Sequence, residues 1–327
     1  IFTLLFATVG QKYLDTKVIQ QDGLAFSEVG KKVGFKNGDK IISIDGKPVQ
    51  DNFNRVVIDV LLSNDIVIER NGEQKHIKLT DEQIGLIMGA EGKNFIFPRM
   101  SKIEIDSITP NSVASKIGLK KGDVIAKINT VPIKYYDELQ PVLQAHKNDS
   151  VAIVIIRNNE TKSMPAKLNN GKIGFKPKLN FSKNIEVTKK YSFFNAIPAA
   201  VEESWQLFVY NIKQFKLILK PKTGALMHAK SPIGIARQLP DTWDWEFVWK
   251  FTAFFSIALA VMNLLPIPGL DGGHALFTIV EMVTGKKLSD KAMERVQTAG
   301  MIFLLALMAF VFGKDIYQWI MEYINHK

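Results

Sequence analysis

The sequence predicts a multi-pass α-helical membrane protein carrying two inserted α+β domains of β-barrel or sandwich-like type. Three observations predict it. Apolar residues concentrate after Phe247 and in the first nine positions, although 46% hydrophobic residues overall would suit a soluble protein. One glycine-containing unit occurs twice in the first half of the chain. A long apolar run near the C-terminus is interrupted by prolines, glycines and an aspartate, the pattern of a helix broken at membrane depth.

The chain opens on Ile1-Phe2-Thr3-Leu4-Leu5-Phe6-Ala7-Thr8-Val9, which is apolar but well short of the roughly 20 residues that cross a bilayer. It lacks the basic lead and small-residue cleavage site of a signal peptide. Residues 1–13 therefore read as the end of a transmembrane helix whose beginning is absent, and the sequence is expected to be truncated. The 327 residues leave room for two or three domains. Absence of cysteine excludes disulfides and thiolate metal sites. The net charge of +10 is spread as single lysines without interleaved aromatics, so anionic lipid rather than nucleic acid is the expected partner.

The repeat comprises Val33-Gly34-Phe35-Lys36-Asn37-Gly38-Asp39-Lys40-Ile41-Ile42-Ser43-Ile44-Asp45-Gly46 and Ile117-Gly118-Leu119-Lys120-Lys121-Gly122-Asp123-Val124-Ile125-Ala126-Lys127-Ile128-Asn129-Thr130. Both copies hold a Gly-apolar pair, a Gly-Asp turn, an alternating strand and an Asp/Asn turn. Helical periodicity follows in each, over Asn52 to Leu62 and Tyr136 to Ala145. Strands follow at 65–70 and 150–157, then turns at Asn71-Gly72 and Asn158-Asn159, then last strands from Lys75 to Leu79 and Lys162 to Leu168.

These blocks resemble the PDZ domain in its bacterial-protease form, over residues 14–82 and 101–176, with 83–100 as a linker. The second copy carries the familiar lead-in Pro110-Asn111-Ser112-Val113-Ala114-Ser115-Lys116, and the first has Phe35 where leucine is usual. The resemblance implies a peptide-binding loop at Gly34, Phe35, Gly118 and Leu119, able to hold peptides or protein C-termini. The alternative, that both domains are spacers, stays open.

Residues 177–246 are read as an interfacial helix and its connections. From Ala199 to Leu219, Trp205, Phe208, Ile212, Phe215 and Leu219 share one side, while Glu202, Glu203, Lys213 and Lys216 make the segment too polar to span. Trp243, Trp245 and Trp249 favour the lipid interface over a soluble helix packed on the second domain.

Residues 247–284 form the broken transmembrane segment, interrupted by Pro266, Pro268, Gly269, Gly272 and Gly273. Asp271 lies in the break, and a carboxylate there costs on the order of 2.5–3.5 kcal/mol on insertion scales. It is read as functional; the alternative is an N-cap of a helix beginning at Gly272.

The stretch Met262-Asn263-Leu264-Leu265-Pro266-Ile267-Pro268-Gly269-Leu270-Asp271-Gly272-Gly273-His274 resembles the signature of the site-2 protease family, in its regulator-of-sigma-E type with tandem PDZ domains. Ser231-Pro232-Ile233-Gly234-Ile235-Ala236 resembles another segment of that family. The resemblance implies zinc (Zn2+) bound by two histidines of an H-E-x-x-H helix and by Asp271, with an open fourth position. It further implies substrate binding at Asn263, Pro266 and Pro268, and a general-base glutamate from the same helix as the histidines. No such helix is present: His76, His146, His228, His274 and His326 include no pair four apart. Either that helix lies upstream of Ile1 or the chain is a pseudoprotease. His274 is read as supporting or structural.

A last transmembrane helix is expected from Val296 to Phe312 within residues 296–327, after a cytoplasmic loop at 285–295 holding Lys286, Lys287, Lys291 and Arg295 against Asp290 and Glu294. The PDZ-like pair then falls outside the cytoplasm of a bacterial inner membrane. The expected function is zinc-dependent cleavage of transmembrane segments in pre-clipped membrane proteins, as in anti-sigma-factor release, with the PDZ-like pair as a size filter. The rival is a non-catalytic, membrane-anchored PDZ adaptor.

Overall fold

The computed structural model describes residues 1–90, 95–178, 184–237, 239–240, 242–285 and 289–325. The chain divides into two compact units, one of residues 1–11, 84–89 and 188–327 and one of residues 12–83 and 90–187.

The second of these units contains both repeat copies. In the first copy an antiparallel sheet runs in the order Lys47–Pro48, Lys40–Ile44, Ile66–Arg70, Glu73–Ile77. Alternation decides which side chains go inward, so Ile66 and Ile68 are fully buried. The hairpin closes at Asn71 (φ 53°) and Gly72 (φ 83°), and the matching hairpin closes at Asn158 (φ 51°) and Asn159 (φ 63°). Paired positive φ values are what a tight two-residue turn requires, and Asn and Gly adopt them with least strain. In the second copy the order is Glu160–Lys167, Ser150–Arg157, Val124–Ile128, Ile103–Ile108, Phe175–Pro177. Its core gathers Ile103, Ile105, Ile125, Ile128, Leu139, Leu143, Ile153 and Ile155.

The expected linker carries more structure than its composition suggests. It holds most of the helix Asp81–Gly89 and the strand Ile96–Pro98, which pairs with Leu24–Phe26. Phe175–Pro177 pairs with Ile103–Ile108 in the same way. The copies also match in backbone detail. Leu24 exchanges hydrogen bonds with Gly38 and Asp39, and Ile105 exchanges them with Gly122 and Asp123. Each copy is therefore closed by a strand that follows its last hairpin. Arg99, just past the closing strand of the first copy, pairs with Asp137 (3.0 Å) and Glu138 (3.1 Å) and lies 3.8 Å over the Tyr135 ring. The Tyr135 hydroxyl in turn donates to Asp22.

In the other unit, Phe2–Thr8 packs on Phe193–Ile218 and Trp245–Leu264 through Phe2, Leu5, Phe6, Ala196, Ala200 and Ala253. The 26-residue helix starts at Phe193, not Ala199, and holds Pro198 within it. Proline reads as a helix boundary because it lacks an N–H and crowds the preceding turn. Here it lies early enough for packing on both sides to carry the helix through. Trp205 and Leu219 stay outward, 63% and 79% exposed.

Among the described residues two helices, Trp245–Leu264 and the stretch Lys291–Ile324, are long and apolar enough to cross a membrane. The last helix is longer than expected at both ends, Asp290–Asn325 over 36 residues. Residues 290–295, expected in a loop, are thus helical, while Lys286, Lys287 and His326 lie outside the described residues.

Candidate metal centre

The helix Trp245–Leu264 ends at a break, and the next helix runs Asp271–Thr284. Leu270 occupies the N-cap and Asp271 the first helical position. The alternative in which Asp271 caps a helix beginning at Gly272 is therefore corrected: its side chain caps nothing. Its carboxylate is exposed and has no hydrogen bond or ion pair among the described residues.

Glycines shape this break. A Cβ at Gly272 would overlap the Leu265 carbonyl oxygen, and one at Gly273 would lie 2.5 Å from the Ile267 oxygen. Any side chain at these positions would push the break off the helix start. Asn263 sits exposed in the last turn before the break, its amide unpartnered among the described residues. Pro266 is exposed within the break and Pro268 half-buried. The structure thus brings Asn263, Pro266, Pro268 and Asp271 into one short segment.

Zinc accepts carboxylate oxygen as a ligand, and Asp271 offers one with no hydrogen bond to displace among the described residues. The remaining donors are not at hand, because no group of three or more His, Cys, Asp or Glu that could hold a metal occurs among the described residues. His274 turns to the last helix, where Gln297 Nε2 lies 3.3 Å from its Nδ1. His76 pairs with Asp65 at 2.9 Å and His146 with Asp149 at 3.2 Å, both in the repeat copies.

The four loop residues Gly34, Phe35, Gly118 and Leu119 have other duties. The Gly34 amide donates to Lys31 O and that of Phe35 to Gly30 O, while Gly118 and Leu119 donate to Ser115 O and Ala114 O. The next amides, of Lys36 and Lys120, donate to the carboxylates of Asp39 and Asp123. Phe35 and Leu119 are 1% and 4% exposed. These amides close the ends of short helices and are not presented to a ligand.

Sequence reasoning missed what fixes the loops. Arg70 binds Asp39 through Nε and Nη2, both at 2.7 Å, and donates to Gly34 O at 2.8 Å. Arg157 does the same to Asp123 at 2.6 and 2.7 Å and to Gly118 O at 2.9 Å. The signal was present, since an arginine ends the same strand in both copies. The Ser231–Ala236 segment is likewise anchored: Asp315 accepts from the Ser231 amide at 2.7 Å, and Lys314 donates to Met227 O and Ala229 O.

A duplicated α+β pair, then a glycine-packed break between apolar helices with a carboxylate unpartnered among the described residues, accords with the resemblance to the site-2 protease type. Peptidase family M50 matches residues 1–307, and the chain belongs to that family. It is 30% identical over 233 residues to the regulator of sigma-E protease of Escherichia coli, covering 67% of this chain and 52% of that one. It is 34% identical over 250 residues to a Campylobacter jejuni protein named as a zinc metalloprotease, covering 72% and 65%. A Clostridium acetobutylicum protein of similar name is 30% identical over 223 residues, covering 65% and 62%. The chain spans about half the length of the first of these relatives. A solved PDZ domain of an SdrC-like protein from Listeria monocytogenes aligns at 19% identity and a TM-score of 0.22, covering 24% of this chain and 87% of that one, too low to carry an argument.

Proposed function

We propose that this protein is a zinc-dependent endopeptidase of a bacterial inner membrane that cleaves transmembrane segments of pre-clipped membrane proteins, anti-sigma factors among them. The observation that carries the reading is the Asp271 carboxylate, unpartnered among the described residues, at the head of a helix that follows a break glycines hold tight. Asp271 would be the ligand this chain gives to zinc, with two histidines and a glutamate base completing the centre from a helix not among these residues. When bound, zinc supplies a water whose pKa lies near 7. Asn263 and the unwound backbone around Pro266 and Pro268 would hold the substrate strand, offering polar groups that a continuous helix would have used internally.

The Phe193–Ile218 helix, with Trp205 outward, and the exposed Trp243, Trp245 and Trp249 would lie at the headgroup boundary. Lys291 and Arg295 at the start of the last helix support a cytoplasmic location for that end, and the repeat pair would then lie on the other side. The adaptor reading has less support, since the loop amides it needs are already bonded.

Zinc content per chain, measured on the full-length protein in detergent, tests the proposal. About one zinc is expected, lost in Asp271→Ala. Zinc retained in that variant, or absent from the full-length protein, would overturn it. The repeat pair would act as a size filter against substrates with bulky external domains. Removing residues 14–176 should then allow intact substrates to be cut, and unchanged selectivity would refute the filter.

A further inference from the structure

The break that carries Asp271 is held from one side by glycines of its own segment and from the other by the last helix. A Cβ at Gly269 (φ 96°) would meet Met301 N at 3.4 Å and Gln297 O at 3.7 Å. A Cβ at Gly300 would overlap the Pro268 carbonyl oxygen and lie 2.7 Å from Pro268 Cβ. Gln297, one turn earlier on the same face, reaches the His274 ring three residues beyond Asp271. By contrast, a Cβ at Gly313 further along the helix would meet nothing within 4 Å.

Small residues at helix contacts allow backbones to approach closely where no apolar driving force favours side-chain burial. At Gly300 the approach is to the Pro268 carbonyl of a non-helical segment, so the last helix adds a restraint to the turns that Ile267 N–Leu265 O and Leu270 N–Ile267 O make within it. We infer that Gly300 and Gln297 are positioning residues for Asp271. In this reading the last helix is the wall against which the break is pressed, so that helix sets where the carboxylate points. The sequence signature around Asp271 contains neither residue.

The zinc arm of this inference rests on the proposed role of Asp271; the geometric arm does not. These 327 residues hold no cysteine, so Leu270→Cys, with any cysteine outside them replaced by serine, gives a single reporter beside the carboxylate. Its maleimide alkylation would be followed in the full-length protein in detergent, with zinc content measured in parallel on the Leu270 wild type. Gly300→Val should expose the break and speed alkylation, and should weaken zinc binding by about 10–100-fold, as loss of a supporting contact does. Gly300→Ala should be intermediate, Gln297→Ala milder, and Gly313→Val without effect on either readout. If Gly300→Val fails to accumulate, Gly300→Ala and Gln297→Ala decide. Alkylation and zinc binding at wild-type levels in both, or an equal response to Gly313→Val, would overturn the inference. If Asp271→Ala keeps its zinc while Gly300→Val still speeds alkylation, the metal role falls and the positioning role stands.

Discussion

Phe35→Ala is expected to destabilise the first repeat copy by about 3–5 kcal/mol, the range for emptying a buried aromatic site. The Phe35 ring stacks on Phe26 at 4.7 Å and 8° between planes, and lies 6.2 Å from the tilted ring of Phe95. It is 1% exposed. Phe26 ends the strand Leu24–Phe26 opposite Ile96, and Phe95 immediately precedes the closing strand Ile96–Pro98, so the lost ring also loosens that strand. Phe35→Leu, which installs the residue the second copy has at Leu119, should cost only about 1 kcal/mol. Hydrogen exchange of the 24–77 amides in the full chain would measure both. A loss under about 1 kcal/mol for the alanine variant would mean that Phe35 is a loop residue after all, as its place in the motif suggested.

The second large effect is expected at the buried carboxylates. Asp39 is 1% exposed and accepts two hydrogen bonds from Arg70 and one from the Lys36 amide. Asp39→Ala leaves a half-enclosed guanidinium without its partner and frees the Gly34 loop, a change worth about 3 kcal/mol. The second copy adds a pH signature. Burial opposes the charged form of Asp123, but the hydrogen bonds from Arg157 and the Lys120 amide outweigh it and hold the carboxyl below its usual 3.8. A carboxyl that binds protons more weakly when folded stabilises the fold above 3.8 and loses that contribution as pH falls through the lower folded value. Exchange protection of the 124–157 amides should therefore decline below pH 3.8 in the wild type and less steeply in Asp123→Asn. Parallel declines would mean that Asp123 is not the titrating group.

Local patterns in this chain were readable where a short segment decides its own conformation. The Asn71-Gly72 and Asn158-Asn159 turns, the alternating strands beside them and the proline-glycine break at 265–270 all follow from adjacent residues. Asp271, Asn263, Pro266 and Pro268 could be singled out together as candidates because they share one contiguous signature. What escaped depends on partners far away in sequence. Ile96–Pro98 is unremarkable until Leu24–Phe26 is beside it, and Gly300 is one small residue among many until Pro268 meets it. Pro198 argued locally for a helix start, and packing against Phe2, Phe6 and Ala253 overrode it. The bonding of the four loop residues escaped for a related reason: sequence shows which amides a loop has, not which are already bonded.

The closing strand of the first copy has a mechanical consequence. Because that strand runs to Pro98 and the second copy begins at Ile103, only Arg99 to Lys102 join the two. A tether of that length reaches at most about 3.3–3.6 Å per residue, and its first residue is clamped on Asp137, Glu138 and Tyr135. The two copies have no slack with which to swing apart like beads on a string. Whatever load one copy receives is handed to the other through a stiff joint, so the pair would tilt as one plate rather than open as a jaw.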